Sequence, residues 1–156
     1  MLNVQAPVMA AVRGFSTVLK GRPAPASTRI LVVDDEETVL KFVNRILTGR
    51  GYETVLASSG AAAEQAVTTS GPFAILVTDL MMPEMSGDEL ARRLRQVEPR
   101  LKVLYLTGFS DHLFKEKATL WADEAFLDKP CSVKGLLEAV SLLATGRITD
   151  PDDHSA

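Results

Sequence analysis

The stretch Ile30-Leu31-Val32-Val33-Asp34-Asp35-Glu36-Glu37 decides how the rest of the chain is read. Four consecutive apolar residues suit a strand covered on both faces, as in a parallel sheet. Acids follow at once, where they suit the start of a helix. The next segment places Val39, Leu40, Val43, Ile46 and Leu47 on one helical face, and Gly49 and Gly51 end it. One strand, an acidic turn and one amphipathic helix are thus laid out in about twenty residues.

The alternation continues. Residues 52–56 read as a second strand, 61–67 as a small alanine-rich helix and 73–77 as a third strand. Leu90, Leu94 and Val97 mark a helix that Pro99 stops. Residues 101–106 form a fourth strand, 111–120 a less regular helix and 125–127 a short fifth strand. Val133, Leu136, Leu137, Val140 and Leu143 give the last helix. Five strands alternating with five helices predict an α/β fold with a parallel sheet and right-handed crossovers.

Bulk properties narrow the class. At 156 residues, the chain holds one domain with a proper core. Its 46% hydrophobic content is that of an ordinary globular protein. No apolar run approaches the ~20 residues of a membrane span. A net charge of −3 argues against direct nucleic-acid binding. The single cysteine, Cys131, excludes an intramolecular disulfide and fits a reducing, cytoplasmic compartment. The first acid is Asp34, so the opening segment is purely basic, and it ends in the Pro-rich run Gly21-Arg22-Pro23-Ala24-Pro25. Residues 1–28 are therefore expected to be a flexible extension and linker, 29–146 the folded domain and 147–156 an acidic tail. Val4, Val8, Val12, Phe15 and Leu19 recur at helical spacing in the extension, but Pro7 and Gly14 weaken that helix.

In such folds functional groups collect at the carboxyl ends of the strands. Asp34 and Asp35 follow the first strand, Asp79 the third, Thr107 the fourth and Lys129 the fifth. Clustered carboxylates raise one another's pKa unless a cation relieves them. Hard oxygen ligands point to Mg2+ rather than zinc, with Asp34, Asp35, Asp79 and the backbone carbonyl of Met81 as ligands. A carboxylate held there can attack phosphorus and form an acyl phosphate. Metal and Lys129 would neutralise the phosphoryl oxygens, and Thr107 can donate a hydrogen bond to them.

Four motifs now carry a resemblance. Ile30 to Glu36 resembles the acidic-pair strand of two-component response regulator receiver domains. Asp79-Leu80-Met81-Met82-Pro83-Glu84-Met85-Ser86-Gly87 resembles their phosphoacceptor loop, Leu106-Thr107-Gly108 their switch hydroxyl, and Asp128-Lys129-Pro130 their lysine–proline step. Order and spacing match over residues 29–146, as in chemotaxis-regulator-like, single-domain receivers. The resemblance implies a flavodoxin-like, doubly wound, five-stranded sheet of order 2-1-3-4-5 with helices on both faces. It implies that Asp79 takes a phosphoryl group from a histidine kinase or histidine phosphotransfer protein. It implies phosphate contacts from the backbone of Met81 and Gly108, a switch built from Thr107 and Phe126, and a downstream protein partner on the face of the fourth helix, fifth strand and fifth helix. A homodimer is left open.

Each of these residues also has a plainer reading. Asp34 and Asp35 could simply begin a helix, Thr107 could be a strand-end threonine and Lys129 a surface lysine. Their convergence with Asp79 favours the site. For Phe126, core packing and switching stand level. Met81 and Met82 read as packing residues, since thioethers are soft. Two rivals differ in class or context. An aspartate-nucleophile phosphatase of the haloacid-dehalogenase type needs an acid two residues past the nucleophile, where this chain has Met81, so a signalling switch rather than an enzyme is expected. The other rival is the terminal receiver of a hybrid histidine kinase.

Overall fold

The computed structural model describes residues 28–108 and 123–146. Its elements are β1 (Arg29–Val33), α1 (Glu37–Gly49), β2 (Glu53–Ala57), α2 (Gly60–Ser70), β3 (Ile75–Asp79), α3 (Gly87–Arg95), β4 (Lys102–Thr107), β5 (Glu124–Asp128) and α4 (Val133–Thr145). The extension, the tail and the helix expected over 111–120 fall outside the described residues.

Apolar runs become strands because both faces of the sheet are covered. The five strands pair in parallel in the order β2-β1-β3-β4-β5. Alternate side chains feed two cores. Leu31, Val33, Leu76, Val103 and Tyr105 pack with Ala63 of α2 and Leu90 and Leu94 of α3. Ile30, Val32, Ile75, Val77, Leu104 and Leu106 pack with Leu40, Val43 and Leu47 of α1 and Leu136 and Val140 of α4. Ser59, Ser86 and Ser132 cap α2, α3 and α4 by accepting the N–H of Ala62, Glu89 and Gly135.

The structure corrects several boundaries. β3 begins at Ile75 rather than residue 73. Phe73 is buried, but its N–H donates to the Glu98 carboxylate instead of joining the ladder. Val97 has the spacing of an apolar helical stripe, yet it is 68% exposed. The helix ends at Arg95, and a turn led by the bonds of Val97 N–H and Glu98 N–H to Leu94 O carries the chain away before Pro99. Of the acids expected to open the first helix, only Glu37 lies in the first turn of α1. The chain reverses after α1 at Gly51, whose φ of 96° suits glycine alone.

Candidate functional site

Each functional side chain is set by a strand end. Asp34 directly follows β1 and is anchored by its N–H on Ala57 O. Its Oδ1 accepts the N–H of Glu36 at 2.8 Å, which turns the acidic run back over the sheet. Asp79 is the last residue of β3 and Thr107 the last of β4, and both are buried. The Thr107 carbonyl accepts the Lys129 N–H at 2.9 Å, so the end of β4 holds the start of the lysine loop. The Lys129–Pro130 peptide is cis.

The loop after β3 folds tightly over Asp79. Gly87 N–H donates to Leu80 O at 2.8 Å. A Cβ on Gly87 would stand 2.2 Å from the Asp79 carbonyl oxygen, so only glycine allows this closure. Thr78 Oγ1 donates to that same oxygen at 2.9 Å.

The structure brings the side chains of Asp34, Asp35, Asp79 and Lys129 together. One carboxylate oxygen from each of Asp34, Asp35 and Asp79 lies within 4.8 Å of the others. Lys129 Nζ stands 2.8 Å from Asp34 Oδ2, 3.5 Å from Asp79 Oδ1 and 3.9 Å from Glu36 Oε1. Asp35, Glu36, Asp79, Met81, Gly108 and Lys129 line an open cavity of about 280 Å3. Burial pushes the Asp79 carboxyl above the ordinary aspartate range, opposed by Lys129, reinforced by Asp34 and Asp35, and opposed again by the Met81 N–H. Burial disfavours the Lys129 ammonium, but the hydrogen bond and charge of Asp34, with Asp79 and Glu36, outweigh it and raise its pKa.

The donor set fits a hard divalent cation. It offers three clustered carboxylates beside an open cavity, and the residues lining that cavity include no His or Cys. Asp34 Oδ2 is buried beside the Lys129 ammonium, 2.8 Å away, and a carboxylate oxygen that takes one such contact still has a second lone pair to offer a cation.

The reading of Met81 changes. Met81 does not pack in the core: it is 49% exposed and forms a wall of the cavity, while Met82 does pack against the core. Cys131 packs against the α1–α4 side of the core, and burial raises its thiol pKa. Phe126 is half-buried, in register with Tyr105, and packs on the α2–α3 side of the sheet that Tyr105 shares. Sequence reasoning missed Glu36 as a cavity residue, although it is the third acid of the run after β1. It also missed a polar cluster of Tyr105, Glu124, Arg95 and Asp88, in which Tyr105 and Glu124 are buried and which draws its members from α3, β4 and β5.

Comparison with known proteins agrees with this geometry. Residues 30–141 match the response regulator receiver domain family. The chain is 33% identical over 112 residues to the response regulator receiver protein CpdR of Brucella abortus, covering 72% of this chain and 92% of that protein. It is 35% identical over 124 residues to the sensor kinase CckA of the same organism, covering 79% of this chain but only 13% of the kinase. Among solved structures it resembles the response regulator protein TrrA of Thermotoga maritima in complex with Mg2+-BeF, with a TM-score of 0.65, 31% identity and coverage of 74% and 98% of the two chains. This chain belongs to the response regulator receiver domain family. Its role is that of a phosphoacceptor in two-component signalling, on a CheY-like fold.

Proposed function

We propose that Asp79 is the residue that accepts the phosphoryl group, with Asp34 and Asp35 holding Mg2+. The observation that carries this reading is the meeting of three carboxylates and the Lys129 ammonium at one open cavity. An Asp79 carboxylate oxygen attacks the phosphorus of a phosphohistidine on a histidine kinase or phosphotransfer protein. The new P–O bond forms as the P–N bond breaks, and the imidazole leaves. Asp34, Asp35, Asp79 and the Met81 carbonyl would hold Mg2+, which would neutralise charge on the phosphoryl oxygens. Lys129 adds a second cation at the same cavity, and Met81 and Gly108 line it, where their backbone would meet those oxygens.

Thr107 and Phe126 serve as the switch. The Thr107 hydroxyl gains a strong acceptor when Asp79 is phosphorylated, and the shift makes room for the Phe126 ring. A protein partner reads the resulting surface. Leu113, Phe114 and Trp121, candidate contacts for that partner, fall outside the described residues. Met81 offers no proton two residues past Asp79, which supports a switch rather than a phosphatase acting on outside esters. Among the described residues no helix is long and apolar enough to cross a membrane. The cytoplasm, where kinase partners and reduced Cys131 fit, is the compartment we infer.

Incubation with a small phosphodonor, with and without Mg2+, followed by intact mass measurement tests the assignment. One phosphoryl mass is expected, dependent on Mg2+ and absent in Asp79→Asn. Labelling that persists in that variant overturns it. The likeness to CckA supports a second reading, a receiver at the end of a hybrid kinase. The size of the native protein on an immunoblot separates the two.

A further inference from the structure

The cavity over Asp79 holds one charged side chain that the phosphoryl chemistry leaves without a task. Among the described residues, the carboxylates of Asp35, Glu36 and Asp79 line it, with Lys129 as the cation. Asp35 and Asp79 belong to the cluster that fits a metal ion, and Glu36 does not. Glu36 occupies the N-cap of α1, a place that favours Ser, Thr, Asp or Asn, yet its side chain makes no capping bond. Its backbone is fixed by Asp34, whose Oδ1 accepts the Glu36 N–H at 2.8 Å. The Glu36 side chain is 63% exposed, and its Oε1 lies 3.9 Å from Lys129 Nζ.

Depth orders these groups. Asp79 is buried and forms the floor of the cavity. Lys129 is half-buried, 3.5 Å from Asp79 Oδ1, and Glu36 stands exposed at the rim. In an in-line displacement at phosphorus, the leaving atom departs on the side opposite the attacking oxygen. A donor attacked from the floor by Asp79 therefore sends its leaving group toward the mouth, where the Glu36 carboxylate stands.

We infer that Glu36 is a specificity-determining residue for the phosphodonor, a rim carboxylate that favours a nitrogen leaving group and opposes one that departs as an anion. The inference rests on the reading of Asp79 as phosphoacceptor. Two small donors differ in the charge they bring to the rim. When Asp79 attacks phosphoramidate protonated on nitrogen, a P–O bond forms and the P–N bond breaks. The electron pair passes to nitrogen, and neutral ammonia leaves with the hydrogens it already carried. That nitrogen is positive before the step and keeps N–H donors through it. When Asp79 attacks acetyl phosphate, the bond from phosphorus to the acetate oxygen breaks. The pair stays on that oxygen, and acetate leaves as an anion. Glu36 attracts the first leaving group and repels the second. The protonated imidazole of a phosphohistidine belongs with the first. One carboxylate thus favours a phosphoryl group carried on a protein histidine over one carried on a small acyl phosphate.

Labelling rates of the full chain, at low donor concentration and saturating Mg2+, test this in wild type, Glu36→Gln and Glu36→Asp. Intact mass follows the label from phosphoramidate and, separately, from acetyl phosphate. Glu36→Gln keeps the shape of an exposed side chain and removes only its charge, so the fold is expected to persist. At low salt the ratio of the phosphoramidate rate to the acetyl phosphate rate is expected to fall at least about threefold in Glu36→Gln, the scale of one unit charge acting over a few ångströms near water. Glu36→Asp keeps the charge, and its ratio is expected to stay near that of wild type. High salt should shrink the difference between wild type and Glu36→Gln, because the rim is open to solvent. A purely structural role slows both donors alike, and an unchanged ratio in Glu36→Gln overturns the inference. So does a ratio that rises, or a fall that salt leaves untouched. Absence of labelling by either donor in wild type, or labelling that persists in Asp79→Asn, instead refutes the phosphoacceptor reading, and the two failures are told apart.

Discussion

Lys129 Nζ lies 2.8 Å from Asp34 Oδ2, and Asp34 is almost wholly buried. A carboxylate taken from water at this depth is costly unless a cation stays beside it. Removing a partner from a fully buried pair costs about 3–5 kcal/mol. The Lys129 side chain keeps 21% of its exposure, so Lys129→Met is expected to cost less, about 2 kcal/mol. Urea denaturation without Mg2+ measures the loss. Millimolar Mg2+ should recover part of it by replacing the missing charge. An unchanged midpoint without Mg2+ would show that Asp34 does not depend on the lysine.

Gly87 supports Asp79 through the backbone rather than through charge. Its added Cβ would stand 2.2 Å from the Asp79 carbonyl and 3.0 Å from Thr78 Cγ2. Backbone cannot yield there as a flexible side chain would. Gly87→Ala is expected to destabilise the fold by about 1–3 kcal/mol, the range for overpacking. It should also slow phosphorylation at least tenfold by displacing the loop. Gly49→Ala, at the end of α1, is the control, because among the described residues nothing lies within 4 Å of its added Cβ. A normal labelling rate in Gly87→Ala would mean the loop accommodates the methyl without moving Asp79.

The sheet was legible because parallel strands bury both faces, so runs such as Ile30–Val33 need no alternation to be recognised. The site was legible for a related reason. Asp34, Asp79, Thr107 and Lys129 stand where strands end, and the topology brings those ends together. What escaped depends on contacts that no linear pattern carries. Phe73 is as buried as a strand residue, yet its N–H serves the Glu98 carboxylate. Val97 kept helical spacing after the helix had stopped. Glu124 and Arg95 look like surface charges in sequence, yet they meet in the interior 29 positions apart.

Removal of residues 1–27 is expected to leave the domain intact. Among the described residues, both cores are built from Ile30 onward. The described N-terminal attachment needs only Thr28, whose carbonyl accepts the Glu53 N–H, and Arg29, which pairs with Glu53. Thermal unfolding of a chain starting at Thr28 should fall within a few degrees of the full chain, the scale of a change below about 1 kcal/mol. Its labelling by a phosphodonor should be unchanged. A large fall in either would assign the extension a packed role on the domain.

The raised pKa of Asp79 makes a further prediction about pH. Burial is the main cause, so the folded state holds the Asp79 proton more tightly than the unfolded chain does. An acid whose pKa rises on folding destabilises the fold once it ionises. The penalty is absent below the ordinary aspartate value of about 4. It grows as pH rises through the folded pKa, and it is complete above that. Asp79→Asn removes the penalty and leaves Asp34 to hold Lys129. The variant is therefore expected to be more stable than wild type at pH 7 without Mg2+, by about 1 kcal/mol, the scale of an ordinary single substitution. The advantage should shrink toward zero as pH falls below 4, because both proteins are then neutral at this position. Mg2+ should also shrink it, since the cation relieves the repulsion only where the carboxylate exists. Denaturation midpoints across pH, with and without Mg2+, measure all three trends. A variant less stable than wild type at pH 7 without Mg2+ would show that the Asp79 carboxylate supports the fold, and that the acidic cluster is not held under repulsion.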